Sequence, residues 1–302
     1  MTATRRGALG AVLGGSAAML HSTSAQAQAA AQGYVVPFTT VIPITSRING
    51  VDYLLYVRRP ASYDAGDARY PVIVTLDADY SFSICANHLE HLAARRNQAP
   101  DAILLSIAIA GVYPDLDRYH LERTRDYSPI FVAEAGPNTR FQHVSGGGPA
   151  FVRVMEEEIF PLIESRFRID PSERTLVGHS LGGLFACWML QMRPDLFNRF
   201  LAVSPSLWYA DKWIFDRERE LSGTRLPRRT RIYLGVGSWE EQPENNGFMA
   251  SECIAFASML AARRDPNLEV EQRTFEDETH ASIFPAAFST GIRHLFSNAR
   301  PA

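Results

Sequence analysis

Arg174-Thr175-Leu176-Val177-Gly178-His179-Ser180-Leu181-Gly182-Gly183-Leu184-Phe185-Ala186-Cys187-Trp188-Met189-Leu190 decides the fold. Its centre, Gly178 to Gly182, reads Gly-x-Ser-x-Gly. Before it stands a short apolar run of strand character. After it comes an apolar run that reads as a buried helix and stops before Pro194. Strand, tight turn and helix is the setting in which a serine sits on a strained turn above a sheet. Glycines flank it because so sharp a turn leaves no room for packed side chains.

Outward from this turn the chain alternates. Thr39–Thr45 and Val51–Arg58 are β-rich runs separated by Asn49-Gly50, a strong hairpin signal. Pro71–Leu76 is a continuous apolar strand, followed by a helix from about Phe82 to Arg96 and another apolar strand at Ala102–Ala110. After a long irregular stretch the pattern resumes. A helix at Ala150–Ser165 precedes the serine strand and its helix, and a strand at Phe200–Ser204 follows. Next are a helix near Asp211–Leu221, a strand at Arg231–Gly237 and a helix at Phe248–Arg264. The last strand is Leu268–Phe275 and the last helix Pro285–Phe296. Apolar strands separated by helices imply one α/β domain, a mostly parallel sheet with helices on both faces and antiparallel strands at its start. A doubly wound nucleotide-binding domain is disfavoured, because no Gly-x-Gly-x-x-Gly follows the first parallel strand.

The first 27 residues read as an export signal of the twin-arginine type. Arg5-Arg6 precedes an apolar stretch from Ala8 to Leu20, and either Ala25-Gln26-Ala27 or Ala27-Gln28-Ala29 suits signal peptidase. A periplasmic or secreted protein is expected, with residues 28–302 forming the catalytic domain. The net charge of −3 becomes −5 once Arg5 and Arg6 are removed. That balance offers no footprint for nucleic acid or an anionic membrane, and no membrane span is expected after cleavage. Cys85, Cys187 and Cys253 are too few for a disulfide framework and read as buried thiols, although one bridge is open to an exported chain.

A serine hydroxyl needs an imidazole to take its proton. Where serine occupies such a turn, the acid and then the histidine follow in sequence, the histidine near the C-terminus. His280, in the polar loop Asp277-Glu278-Thr279-His280-Ala281-Ser282, fits. His179 cannot swing onto its neighbour, His294 lies in a helix, and His88, His120 and His143 precede the serine. His88 and His91 share a helical face at a metal-binding spacing but have no third ligand in view, so no metal or other cofactor is expected. The acid belongs on the loop after Arg231–Gly237, where Glu240 is the choice and Glu241 its competitor; a Ser-His dyad without an acid is also open. An oxyanion needs two preorganised N–H donors. Leu181 supplies one, and Ala78, Asp79 or Tyr80 the other, with Asp79 preferred.

These residues together resemble the esterase-D-like branch of the α/β-hydrolases, the "putative esterase" family. Its marks are Tyr70-Pro71-Val72 leading to Leu76-Asp77, Arg125-Asp126-Tyr127-Ser128-Pro129 and Val177-Gly178-His179-Ser180-Leu181-Gly182-Gly183. Further along stand Ser204-Pro205-Ser206-Leu207-Trp208, Gly237-Ser238-Trp239-Glu240 and Thr279-His280-Ala281-Ser282. The resemblance runs from about Val51 to Phe296 and is greatest to the siderophore trilactone esterases. It implies Ser180 as nucleophile, His280 as base, Glu240 as acid, and Asp79 with Leu181 as oxyanion donors. One departure stands out: Leu76-Asp77-Ala78 replaces the usual Leu-Asp-Gly.

The segment from Gly111 to Pro149 holds Pro114, Pro129, Pro137 and three consecutive glycines, and reads as a long irregular loop. It and the stretch Ser204–Tyr209 follow C-terminal ends of strands, where open α/β sheets bind ligands. Arg125, Tyr127 and Trp208 are the substrate-binding candidates, since cations among aromatics suit an aromatic or anionic ester, including an iron–catecholate complex. The competing role for Arg125 and Asp126 is to pin the loop. The expected partner is a small-molecule ester cleaved through an acyl-enzyme. An acyltransferase using the same intermediate and a non-catalytic binding protein are the alternatives.

Overall fold

The computed structural model describes residues 35–112, 114–133, 140–242 and 247–297. The export segment, Tyr113 and Pro137 lie outside them. The β-rich runs become an eight-stranded sheet. In chain order its strands are β1 (Thr39–Thr45), β2 (Asp52–Arg58), β3 (Tyr70–Thr75), β4 (Ile103–Ile109), β5 (Ile169–His179), β6 (Arg199–Val203) and β7 (Thr230–Gly237). A two-stranded ladder, β8 (Glu241–Gln242) with β9 (Gly247–Phe248), precedes the last sheet strand, β10 (Leu268–Phe275). The order across the sheet is β1-β2-β4-β3-β5-β6-β7-β10; β2 runs antiparallel to both its neighbours and all other pairs are parallel.

Strand side chains alternate between two apolar layers, as a pleated backbone requires. On β4, Ile103, Leu105 and Ile107 enter one layer, and Leu104 and Ala108 the other. The second layer is closed by α1 (Ala78–Leu92) and α8 (Phe284–Leu295). The first is closed mainly by α3 (Gly148–Val154), α4 (Phe160–Arg166), α5 (Leu181–Met192), α6 (Tyr209–Glu220) and α7 (Met249–Ala262), α3 and α4 being joined by a π-helical turn at Met155–Ile159. α2, Leu116–Tyr127, lies between β4 and α3. Cys85, Cys187 and Cys253 are free and buried. Among the described residues no helix is long and apolar enough to cross a membrane.

Two expectations change. The segment 111–149 is not a continuous loop, because α2 occupies its first half. Asp115 caps that helix, its carboxylate accepting the Arg118 N–H at 3.0 Å. The helix buries Arg123, Thr124, Asp126 and Tyr127 and so has no apolar stripe to announce it. The helix expected from Phe82 begins at Ala78, which moves Asp79 into its first turn.

Candidate active site

Sheet register gathers the site. β3 and β5 pair at Thr75 and Val177, so the turns after them, at Asp77 and Ser180, are neighbours. β5 pairs with β6 at His179 and Val203, which brings Ser204–Ser206 beside Ser180; the Ser180 N–H donates to Val203 O and the Ser206 N–H to Ser180 O. β7 pairs with β10 at Gly237 and Phe275, and the loops beyond carry Glu240 and His280. The Trp239 N–H donates to Glu278 O and ties those loops together.

Ser180 sits at φ 60°, ψ −118°, a strained conformation for a residue with a Cβ. The turn closes so tightly that a Cβ on Gly178 would lie 2.0 Å from Gly182 O. A Cβ on Gly183 would lie 2.9 Å from Pro205 Cα, so the Ser-Pro-Ser segment packs directly on the turn. The Ser180 hydroxyl is 3.3 Å from that of Ser206 and makes no hydrogen bond to His280 in this structure.

Glu240 and His280 meet. Glu240 Oε2 is 2.6 Å from His280 Nδ1, and the carboxylate is buried while the imidazole side chain is 43% exposed. Glu240 Oε1 accepts the Ser204 hydroxyl at 2.6 Å and the Gly237 N–H at 2.7 Å. The competing Glu241 points elsewhere, accepting the N–H and hydroxyl of Ser251 at 2.9 and 2.6 Å near the start of α7. The Ser204 bond to Glu240 and the Ser206 bond to Ser180 are absent from the sequence reading, although the Ser204-Pro205-Ser206 string was its available signal. Trp239, directly before Glu240, is 58% exposed.

His179 packs its ring 4.6 Å from that of His280 and also touches Phe284 and Tyr80. Burial, then the neighbouring His280 and Arg123, push its pKa down to about 3, so this ring stays neutral at ordinary pH.

The N–H groups of Leu181 and Asp79 lie in the first turns of α5 and α1, where helical backbones leave donors without intrahelical acceptors. The pKa of the Asp79 carboxyl is raised by partial desolvation and by Asp77. Asp77 takes the left-handed conformation, φ 55° and ψ 53°, at the N-cap of α1, and Arg123 grips its carboxylate.

The substrate-binding candidates are placed differently from one another. Arg125 donates to Asp126 Oδ1 at 2.7 Å and pairs with Glu122, while Asp126 also accepts the Tyr53 hydroxyl at 2.8 Å. This arrangement ties α2 to β2. Tyr127 is 2% exposed, and its hydroxyl accepts the Asp77 N–H at 3.3 Å. Its ring lies beneath the site, packed on Phe151 and Phe185. Trp208 is half-buried at the N-cap of α6. A cleft of about 600 Å³ opens at the opposite, N-terminal end of the strands, among Arg199, Arg228, Arg229 and Arg231; no histidine lines it, so it offers no base for a nucleophile.

The model of the "Putative esterase" family matches residues 46–282, spanning all of these groups. The chain belongs to this family. Membership makes it an ester hydrolase. The Ferri-bacillibactin esterase BesA of Bacillus subtilis is 27% identical over 263 residues, covering 86% of this chain and 90% of that protein. The Siderophore enterobactin esterase of Emericella nidulans is 26% identical, covering 78% and 84%. Among solved structures, the BES protein from Bacillus cereus superposes with a TM-score of 0.77 at 26% identity, covering 88% of this chain and 99% of that one. Siderophore hydrolase EstA from Aspergillus nidulans, at 23% identity and a TM-score of 0.74, shares the fold. The α/β-hydrolase architecture implied by the resemblance, with Ser180 on its strand-to-helix elbow, is therefore the fold of this chain.

Proposed function

We propose that this putative esterase is an exported serine carboxylesterase working through a Ser180–His280–Glu240 triad, with siderophore lactones as its preferred esters. The observation that carries the reading is the buried Glu240 carboxylate on His280 Nδ1, beyond the C-terminal ends of the strands where Ser180 occupies a strained turn. Turning the Ser180 side chain from Ser206 toward His280 gives Nε2 the hydroxyl proton; catalytic hydrogen bonds are often loose before substrate arrives. Oγ then attacks the ester carbonyl. The tetrahedral oxyanion takes the N–H groups of Leu181 and Asp79, and the α5 dipole favours its charge. Glu240 stabilises the imidazolium and holds the ring in its tautomer. His280 returns the proton to the departing alkoxide, leaving an acyl-enzyme. Water, deprotonated by His280, releases the acid and restores Ser180.

Exposed Trp239 and half-buried Trp208 offer aromatic faces to an arene-bearing ester, in keeping with relatives named for siderophores. Export rests on Arg5-Arg6 and the cleavage site near Ala27. The test is hydrolysis of p-nitrophenyl butyrate by wild type and Ser180→Ala, with a loss of roughly 10⁴–10⁶-fold in kcat expected. Equal rates would remove Ser180 as nucleophile. Ferric trilactone siderophores should then show a higher kcat/KM than feruloyl or simple alkyl esters; the reverse order discards the substrate assignment.

A further inference from the structure

The oxyanion donors come from two chain segments about a hundred residues apart, after β3 and after β5. Backbone pairing between those strands ends at Thr75 with Val177 and the Leu76 N–H on Val177 O. Beyond that point no ladder holds the two turns in register. Arg123 stands where the ladder stops. Its Nε donates to Asp77 Oδ1 at 3.2 Å and its Nη2 to Asp77 Oδ2 at 3.0 Å. The same Nη2 donates to His179 O at 3.2 Å. One guanidinium thus bonds the residue that leads into Ala78-Asp79 and the residue that leads into Ser180-Leu181.

The surroundings hold that guanidinium still. Arg123 is 6% exposed and its plane lies 5.3 Å from the Tyr119 ring and 5.6 Å from the Tyr127 ring. Tyr127 adds a second tie, accepting the Asp77 N–H. Asp77 needs such restraint: a non-glycine residue at φ 55° relaxes unless its surroundings over-determine it. Its carboxylate also abuts the serine helix, since a Cβ on Gly182 would lie 3.6 Å from Asp77 Oδ2.

We propose that Arg123 is a positioning residue that staples the two turns carrying the oxyanion donors, fixing the spacing of the Leu181 and Asp79 N–H groups for the tetrahedral intermediate. The proposal rests on the serine-esterase reading above. A lysine cannot reproduce a fork that spans two segments, so Arg123→Lys keeps the charge and loses the geometry. Displacing a donor by even an ångström weakens it when the oxyanion forms, while ground-state binding depends little on it.

The experiment measures p-nitrophenyl butyrate kinetics and inhibition by phenylboronic acid, which adds to a serine as a tetrahedral anion. Arg123→Lys is expected to lower kcat about 100-fold, to leave KM within about two-fold, and to raise the boronate Ki by a factor matching the kcat loss. Tyr127→Phe, which leaves the ion pair intact, should lower kcat by about three- to ten-fold with the same coupling to Ki. If Arg123→Lys does not fold, Tyr127→Phe decides on the same criterion. A folded Arg123→Lys enzyme with unchanged kcat, or with its whole loss in KM and an unaltered boronate Ki, overturns the staple while an inactive Ser180→Ala leaves the triad standing. An active Ser180→Ala overturns both.

Discussion

Two buried carboxylates flank Ser180, and they face opposite kinds of partner. Glu240 meets a half-exposed imidazole, and its other oxygen is held only by neutral donors, the Ser204 hydroxyl and the Gly237 N–H. Asp77 meets a sealed guanidinium that grips both its oxygens. Neutral donors fix a carboxylate without cancelling its charge, so in the proposed mechanism Glu240 is placed to face the cation that forms on His280. Arginine is charged at every pH the protein meets, so Arg123 presents Asp77 with a permanent cation. On the proposed reading one carboxylate answers a moving proton and the other holds shape.

Three substitutions break or sharpen this contrast. Glu240→Gln should lower kcat for p-nitrophenyl butyrate by roughly 10²–10⁴-fold with little change in melting temperature, because the lost charge matters chiefly in the transition state. Glu241→Gln should leave kcat unchanged; a large loss there instead would transfer the acid's role to Glu241. Asp77→Asn leaves Arg123 buried without its counter-ion and should cost about 3 kcal/mol in a urea titration. A protein of wild-type stability would mean that the pair holds nothing.

A fourth substitution, His179→Phe, is gentler, since it keeps an aromatic ring against His280. A histidine whose folded pKa is depressed loses stability as pH falls: the unfolded ring binds its proton near 6.5, and the folded one resists until about 3. Wild type should therefore lose on the order of 2 kcal/mol between pH 6.5 and 3 that His179→Phe does not lose, with the two curves parallel above pH 7.5. Parallel melting curves over the whole range would remove this account of His179.

The sequence announces one carboxylate far better than the other. Glu240 follows a continuous apolar strand and precedes His280 in the order a serine elbow demands, so motif order narrows the acid to Glu240 or Glu241. The choice between Glu240 and Glu241 is not legible there, because it depends on which side chain faces the β10–α8 loop and which caps α7. Asp77 was visible only as a motif residue after a strand, with no partner indicated, and Arg123 only as one cation in a segment read as loop. Helix α2 escapes a hydrophobic-periodicity reading because its buried face is Arg123, Thr124, Asp126 and Tyr127, whose burial depends on distant partners such as Asp77 and Tyr53. Local signals did exist: Asp115 is a good N-cap, and Pro149, read as the close of a loop, is a first-turn proline of α3. Apolar strands, by contrast, were mostly located to within a residue or so of their observed ends, since burial on both faces writes itself directly into composition. The exception is β5, which starts at Ile169, ahead of the apolar run, because residues 170–173 are mostly polar and at least partly exposed.

The closure of the elbow around Gly178 also sets where this enzyme is free to diverge. With 2.0 Å between a Cβ there and Gly182 O, and 2.9 Å between one on Gly183 and Pro205, any drift at those positions destroys the turn before it alters substrate preference. Exposed Trp239 and the outer face of α2 bear no such restriction, as neither takes part in the turn. A mutant library aimed at new esters therefore belongs on those surfaces, where inherited chemistry and acquired selectivity are able to change independently.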